Sequence, residues 1–545
     1  MKKIKLLDCT LRDGGYYNNW DFSPELINKY VKAVSDLNVD MIEVGFLSVP
    51  KIGMEFIGGC SYVTDKFIES LNLPDNISDL AIMINGSELL NHSRSAEQVV
   101  RDLLCGVTNS RIKMVRLACH THQVEMILPA VNELKKMGFL TAINLMQIAG
   151  LSDENLIYLS KICSDYPIDV LYFADSLGSM VPEDITKTVN LLRVNWHGDL
   201  GFHGHNNMEL ALVNALTAID NGVLWIDSSV LGMGRGPGNV KTEHFAIELN
   251  TRFGRDMNLI PIMELINKYF IKMQKNYGWG SNSYYYMAGK FGIHPTYIQE
   301  MIGNSRYSDE DIFTVINHLK IEGGKSYSLD TMEAAKNFYI GEPRGTWSPV
   351  EFFDSRDILL LGTGPGVQAY RDALECFINN HKPFVIALNT QTVIDSSLID
   401  ARIACHPVRL LADCEEHTRL PQPLITPFSM LPEDVKKSLK NKTIYDYGIS
   451  VKPETFEYHK EYCIAPSSLV IAYSLAVANS GGAKRIYLAG FDGYGSDDLR
   501  NHENNNLFKL YKSNPGSCEL ISITPTSYEL DVLSVHAMLI NGVFL

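Results

Sequence analysis

The feature that most constrains this chain is a rhythm. Across about the first 250 residues, short β-branched runs alternate with amphipathic stretches eight times. Strands are expected over residues 4–9, 40–45, 80–84, 113–117, 140–145, 169–173, 200–203 and 224–230. Between the first two, Leu26, Ile27, Tyr30, Val31, Val34 and Leu37 recur at helical spacing, and Ser23 with Pro24 forms a plausible helix start. Further helices are expected over 124–137, 153–164, 182–192 and 208–221. Eight strand–helix alternations in this length fit a TIM (β/α)8 barrel. An open doubly wound sheet is the alternative. The barrel is favoured because the chemistry-bearing residues follow the first and seventh strands, whose ends a closed barrel brings to one mouth.

After about residue 258 the strand signals stop and helical patterns run to about 339, including 331–338. Residues 341–349 read as a linker, and a second α/β unit opens at 357–366. The expected organisation is a barrel over 1–255, a helical extension over 256–345 and a Rossmann-like domain over 355–545. About three domains suit a chain of 545 residues. A net charge of -15, with no Lys/Arg-rich run, argues against nucleic acid as a partner. There is no apolar run long enough for a bilayer, and Asp8 arrives too early for a signal peptide. The ten cysteines show neither CxxC pairs nor regular spacing. Together these features predict a cytoplasmic protein with reduced thiols.

The first strand leads into Asp8-Cys9-Thr10-Leu11-Arg12-Asp13-Gly14-Gly15, and the seventh into His203-Gly204-His205-Asn206-Asn207. Histidines at i and i+2 on a strand project to one face, so both imidazoles can address one ion. A merely hydrogen-bonded buried pair is the simpler alternative. Asp13 would add a carboxylate, and such a set with open positions suits a hard or borderline divalent ion. Arg12 stays protonated, so its value is a fixed positive fork beside an oxyanion. Glu43 could hold that fork, or pair elsewhere. After the eighth strand, Gly232, Gly234, Gly236 and Gly238 permit close backbone approach before Asn239.

Taken together, "DCTLRDGG", "IEVGF", "VRLACHTHQVE", "GFHGHNN" and "GMGRGPGN" resemble the DRE-TIM metallolyase superfamily over about residues 4–300. Within it, they most resemble 4-hydroxy-2-oxovalerate aldolase and related pyruvate aldolases. The resemblance implies a carbon–carbon lyase acting on a 2-oxo acid and an aldehyde. It implies Asp13, His203 and His205 as metal ligands, Asn239 near or on the metal, Arg12 stabilising an enolate and Glu43 supporting Arg12. The implied ion is Mn2+ or Mg2+, with Co2+ and Zn2+ left open. The glycine loop lacks the cysteine of the acyl-CoA lyase branch, which counts against a CoA thioester. The pyruvate aldolases carry a catalytic histidine three residues after the metal-binding Asp, where this chain has Tyr16. His120, His122 and Tyr284-Tyr285-Tyr286 are other sources of acid–base chemistry, and each could equally be structural. Helical additions to such barrels often pack between subunits, so a homo-oligomer stays open.

In the second α/β unit, Gly362-Thr363-Gly364-Pro365-Gly366 follows an apolar strand and precedes a helical pattern, a place where a phosphate can sit. The next strand ends at Asn389. "GTGPG", "KRIYLAGFDGYG" and "ITPTSYEL" resemble bacterial CMP-sialic acid-dependent sialyltransferases and pterin-pyrophosphokinase-like domains, over about 355–530. That likeness implies a cytidine nucleotide or nucleotide-sugar near Gly364, Gly366 and Asn389, and a role in surface-glycan metabolism. A glycosyltransferase-like protein with a degenerate barrel, or a non-catalytic scaffold, are the competing readings.

Overall fold

The computed structural model describes residues 3–49, 58–71, 73, 79–90, 94–105, 107, 111–302, 309–321, 342–494 and 498–541. The chain divides into two compact units. In the first, eight strands close into a barrel in sequence order: β1 (Lys5–Asp8), β2 (Met41–Phe46), β3 (Asp79–Asn85), β4 (Ile112–His120), β5 (Leu140–Met146), β6 (Val170–Asp175), β7 (Asp199–Gly204) and β8 (Trp225–Ser228). β1 pairs in parallel with both β2 and β8, which completes the ring. Every expected strand is present, within a few residues at each end. The expected helices appear at Pro24–Asp36, Val124–Lys136, Asp153–Ser164, Pro182–Leu192 and Ala211–Asp220. Ser23 caps the first of these, its hydroxyl accepting from the Leu26 N–H at 3.2 Å.

Alternation along the strands builds the interior in layers. Leu7, Met41, Ala81, Met114, Ala142, Val170 and Trp225 pack together inside the barrel as an apolar floor. Two residues further along five of the same strands come Cys9, Glu43, Arg116, Tyr172 and Asp227, and β7 contributes His203 at this level. Gly201, two residues before His203, makes room for the Tyr172 ring: a Cβ there would lie 2.4 Å from ring carbons. The hydrophobic shell between the strands and the outer helices forms a separate, larger core.

Helices Leu259–Leu265, Ile271–Tyr277, Ser283–Phe291, Pro295–Ile302 and Asp309–Ile321 make up the described part of the expected helical stretch. The expected helix at 331–338 lies outside the described residues. Residues 279–281 bond to the loops that follow β7 and β8. Trp279 Nε1 donates to Leu231 O at 3.0 Å, Gly280 N to Gly236 O at 3.1 Å and Ser281 Oγ to Asn207 O at 2.9 Å.

The second unit holds β9 (Asp357–Leu361), β10 (Phe384–Leu388), β11 (Ala401–Ile403), β12 (Leu424–Thr426), β13 (Ile444–Asp446), β14 (Gly448–Val451), β15 (Glu457–Tyr458), β16 (Tyr462–Ala465), β17 (Arg485–Ala489), β18 (Glu519–Ser522) and β19 (Asp531–Val532). Eight of these form one parallel sheet in the order β13-β12-β11-β10-β9-β17-β18-β19, and β14, β16 and β15 make a small second sheet. This is a mixed α/β unit with its strand order reversing at β9. Residues 342–349, expected as a loose linker, are tied into it: Trp347 stacks on Tyr445 at 4.7 Å, and the Thr346 and Trp347 N–H groups donate to Asp446 O. Among the described residues, no helix is long and apolar enough to cross a membrane, and none of the ten cysteines is disulfide-bonded.

Candidate active site

The turn after β1 carries the first group of site residues. The strand stops at Asp8, and Thr10–Gly14 forms a short helical turn rather than continuing as strand. Asp8 fixes that turn: its buried carboxylate accepts from the Thr10 N–H and from the hydroxyls of Thr10, Tyr30 and Thr242. The turn aims Arg12 and Asp13 into the mouth. Arg12 Nη1 donates to Asp13 Oδ1 at 2.6 Å, and Arg12 Nε donates to Glu43 Oε2 at 2.7 Å. Glu43 therefore holds the guanidinium.

From β7, His203 presents Nε2 at 3.9 Å from Asp13 Oδ2, while its Nδ1 lies 3.0 Å from Asp227 Oδ2. With Asp227 accepting the Nδ1 proton, the Nε2 lone pair faces Asp13. His205 lies on the same side, its ring centroid 5.1 Å from that of His203. One ligand atom from each of Asp13, His203 and His205 falls within 4.8 Å of the others, and all three residues are buried. Asn239, paired with His205 in an antiparallel bridge, donates through Nδ2 to Asp13 Oδ2 at 2.5 Å.

The unsatisfied atoms mark what the site lacks. Among the described residues, His205 Nδ1, Asn239 Oδ1 and Arg12 Nη2 are buried with no hydrogen-bond partner. Buried polar atoms without partners are costly, and here two are acceptors beside a carboxylate and the third is a cationic donor. A cation among Asp13, His203, His205 and Asn239, with an oxyanion against Arg12, would satisfy all three. The donor set thus fits a divalent ion of the oxygen-and-imidazole class. Burial lowers the pKa of His205 to about 3, so it stands ready as a neutral ligand. Burial works against ionisation of Asp13, but the Arg12 guanidinium beside it outweighs that and holds the carboxyl well below its usual range.

Two residues not anticipated from sequence complete the arrangement. Arg116, from β4, donates to Glu43 Oε1 at 3.1 Å and to Asp227 Oδ2 at 2.6 Å, with its guanidinium 4.2 Å from the Tyr172 ring centroid. The path Asp13–Arg12–Glu43–Arg116–Asp227–His203 therefore returns to Asp13. A single arginine or aspartate inside an otherwise apolar strand was the available signal. Asp175, at the end of β6, was also missed. It accepts from the Ser179 and Met180 N–H groups, and burial raises its pKa to about 7.

Other expected residues lie on the rim. Tyr16 packs edge-on against Trp20, with ring centroids 4.8 Å apart, and Arg235 lies 5.6 Å from the Tyr16 ring centroid. His120 ends β4, stacked on His122 at 5.5 Å. Tyr285 is buried beside Gly236, whereas Tyr286 is about half exposed.

Comparison with known proteins agrees with this geometry. A family model described as HMGL-like matches residues 3–267. The 4-hydroxy-2-oxovalerate aldolase of Geobacillus genomosp. 3 is 30% identical over 265 residues, which span 48% of this chain and 75% of that enzyme. The chain belongs to the HMGL-like family. The 4-hydroxy-2-oxovalerate aldolase 4 of Rhodococcus opacus (strain B4) is 29% identical over 266 residues, spanning 48% of this chain and 73% of its own. An HMGL-like barrel with aldolase relatives makes this chain an enzyme of the lyase class. The HMGL-like match ends before the second α/β unit.

In that unit, residues 362–366 lie at the carboxyl end of β9, flanked by β10 and β17. The N–H groups of Gly362 and Gly364 donate to Ala489 O and Gly490 O. A Cβ on Gly364 or Gly366 would come within 2.2 or 2.4 Å of the Asp492 carboxylate. The helix opening at Gly366 is a single turn, Gly366–Ala369. Asn389 follows β10 with φ 51°, its N–H donating to Ile403 O.

Proposed function

We propose that the barrel is a divalent-metal-dependent aldolase that makes or breaks a carbon–carbon bond next to the enolate of a 2-oxo acid. The observation that carries this reading is the buried cluster in which one ligand atom from each of Asp13, His203 and His205 lies within 4.8 Å of the others, with Arg12 and Asn239 both donating to Asp13. Asp13, His203 and His205 would hold the ion, with Asn239 beside them, and Mn2+ suits this mixed imidazole and carboxylate set, with Mg2+, Co2+ and Zn2+ the ions to compare. When bound, the ion supplies Lewis-acid polarisation of the substrate's keto and carboxylate oxygens. Arg12 directs a fixed N–H at the oxygen that gains charge as the enolate forms, and Glu43 keeps the guanidinium oriented. Asp227 sets the His203 tautomer. Tyr16 and His120 are the candidates for exchanging the hydroxyl proton of the aldol, and Y16F and H120N would separate their contributions.

The test is exchange of pyruvate C3 protons with D2O, followed by NMR, in the presence of Mn2+. Wild-type protein should exchange them, and Arg12→Lys should slow exchange by roughly 10²–10³-fold, the cost typical of losing one oriented oxyanion donor. Absence of exchange in wild-type protein with Mn2+, Mg2+, Co2+ and Zn2+ alike would refute the aldolase reading.

A second reading concerns the other α/β unit, where β10 and β17 leave β9 on opposite sides. Ligands of open parallel sheets bind in such a crevice. A cytidine nucleotide or nucleotide-sugar is the ligand to test first. Asp492 repels a bare phosphate, so binding should need Mg2+. Titrating CMP into the full chain with and without Mg2+ decides it. No heat in either case removes this reading, and with it the link to surface-glycan chemistry.

A further inference from the structure

Side chains on β5 alternate between two environments. Ile143 and Leu145 belong to the outer core under the helices, whereas Ala142 lies in the apolar floor inside the barrel. Met146 packs inside the mouth with Phe46, Met83, Ala118 and Trp20. Asn144, between Ala142 and Met146, therefore faces the interior, two residues above the floor. That is the level of Glu43, Arg116, Tyr172, His203 and Asp227. Register sets Asn144 beside Ala118 on β4 and Tyr172 on β6. In the closed ring β5 lies across the barrel from β1, whose turn carries Arg12 and Asp13.

Asn144 stands apart from the polar residues at its level. Glu43, Arg116, Asp227 and His203 are joined by hydrogen bonds, and the Tyr172 ring lies against the Arg116 guanidinium. Asn144 is only 4% exposed, and its Oδ1 is buried with no hydrogen-bond partner among the described residues. Toward the mouth, the wall made by β2 to β5 is apolar: Phe46, Met83, Ala118 and Met146. A buried amide oxygen without a partner is costly, and a leucine of nearly the same size would pack in such a wall without that cost. The amide is thus a single polar group at the foot of an apolar wall, facing the site from the opposite side.

We infer that Asn144 contacts the substrate and hydrogen-bonds the oxygen on C4 of a 4-hydroxy-2-oxo acid. The inference rests on the aldolase reading of the barrel. With the 2-oxo acid end held at Arg12 and Asp13, the rest of the molecule extends across the mouth toward β5, and the C4 oxygen is the first polar group along it. Cleavage breaks the C3–C4 bond and leaves its electron pair in the enolate. The C4 hydroxyl proton passes to the general base, for which Tyr16 and His120 are the candidates, and the C4 oxygen becomes a carbonyl. A side-chain amide suits both states: Oδ1 accepts from the hydroxyl, and Nδ2 donates to the carbonyl. Asn144 itself takes no proton. Its part is to hold the oxygen while the proton leaves and the bond breaks.

Two rates measured on the same full-length protein with Mn2+ test it: exchange of pyruvate C3 protons with D2O, and cleavage of 4-hydroxy-2-oxovalerate. Pyruvate has no C4, so only cleavage uses the contact. Asn144→Leu should lower kcat/KM for cleavage by about 10–100-fold, the cost of one buried hydrogen bond to substrate, while exchange stays within about threefold of wild type. Retained exchange also shows that the variant is folded. Asn144→Ala should give the same split and serves if Asn144→Leu does not fold. Undiminished cleavage in a variant that still exchanges, or cleavage and exchange falling in proportion, would overturn the assignment. Wild-type protein that exchanges pyruvate protons but does not cleave the aldol refutes the role of Asn144 alone. No exchange in wild-type protein refutes the aldolase reading and this inference together.

Discussion

Arg116 in the barrel and Arg402 in the C-terminal sheet are both completely shut off from solvent, yet their surroundings differ in kind. Arg116 faces two carboxylates, Glu43 and Asp227. Arg402 faces neutral acceptors: Gln422 Oε1 at 2.9 Å and Gln391 O at 2.7 Å. Burial opposes the charge of both. For Arg116, Asp227 and Glu43 outweigh burial and raise the pKa, whereas for Arg402 burial prevails and lowers it to about 10. A closed barrel turns the inner faces of all eight strands toward one axis, so opposite charges from β2, β4 and β8 can meet. An open sheet gives each strand its own neighbourhood, and its arginine ends up strapping the loop after β10. The first arrangement organises a reaction centre; the second fixes a backbone.

The largest effect that would break this comparison belongs to the proposed metal ligands. Protein purified without chelator should carry about one ion per chain, and His203→Ala with His205→Ala should abolish both the ion, measured by elemental analysis, and pyruvate exchange. Retained metal in the double variant would mean that the barrel mouth is no more a metal centre than the C-terminal crevice.

Next in size is the pair of arginines. Arg116→Met strands two buried carboxylates and should cost roughly 3–5 kcal/mol in chemical denaturation. Arg402→Met strands only carbonyl-type acceptors and removes a buried charge, so it should cost less than about 3 kcal/mol. Equal losses would show that the charged partners do not distinguish the two sites.

Asp175 gives a pH-dependent test. Its pKa is about 7 in the folded chain against an ordinary 3.8, because burial disfavours the charged form. Between these values the folded state binds more protons than the unfolded state, so stability must fall as pH rises through that window and level off above it. Three units or so correspond to an effect on the order of a few kcal/mol. With chelator present, Asp175→Asn should flatten that decline relative to wild type. Identical slopes would show that Asp175 is ionised throughout.

The smallest effect concerns orientation. Asp227→Asn should weaken metal binding by about 10–100-fold through the His203 tautomer, while leaving an ion bound at saturating metal. Unchanged affinity would detach Asp227 from the metal centre.

What could be read from the sequence follows the same division. The strands were legible because a parallel barrel buries both faces of every strand, and β-branched runs at regular spacing have few other uses. His203 and His205 were legible because i, i+2 spacing on a strand fixes their common face whatever the neighbours do. Asp13 was placed correctly although its segment is a helical turn and not strand, since a turn stapled by Asp8 delivers it to the same mouth. Arg116 and Asp227 were not legible. Which charges meet across the barrel depends on the stagger between strands, which no single strand encodes. The 342–349 segment misled for the opposite reason. Its glycine and prolines look like a linker, but the stacking ring and the backbone acceptor that fix Trp347 come from Tyr445 and Asp446, far along the chain.

The closed path through Asp13, Arg12, Glu43, Arg116, Asp227 and His203 also governs how any mutational series here must be interpreted. In a loop, cutting one link leaves both neighbours without part of their support, so a second cut nearby finds less left to lose. Single substitutions at these six positions should therefore sum to far more than the deficit of a combined variant. The effects measured one at a time will describe the integrity of the loop, not portions that belong to individual side chains.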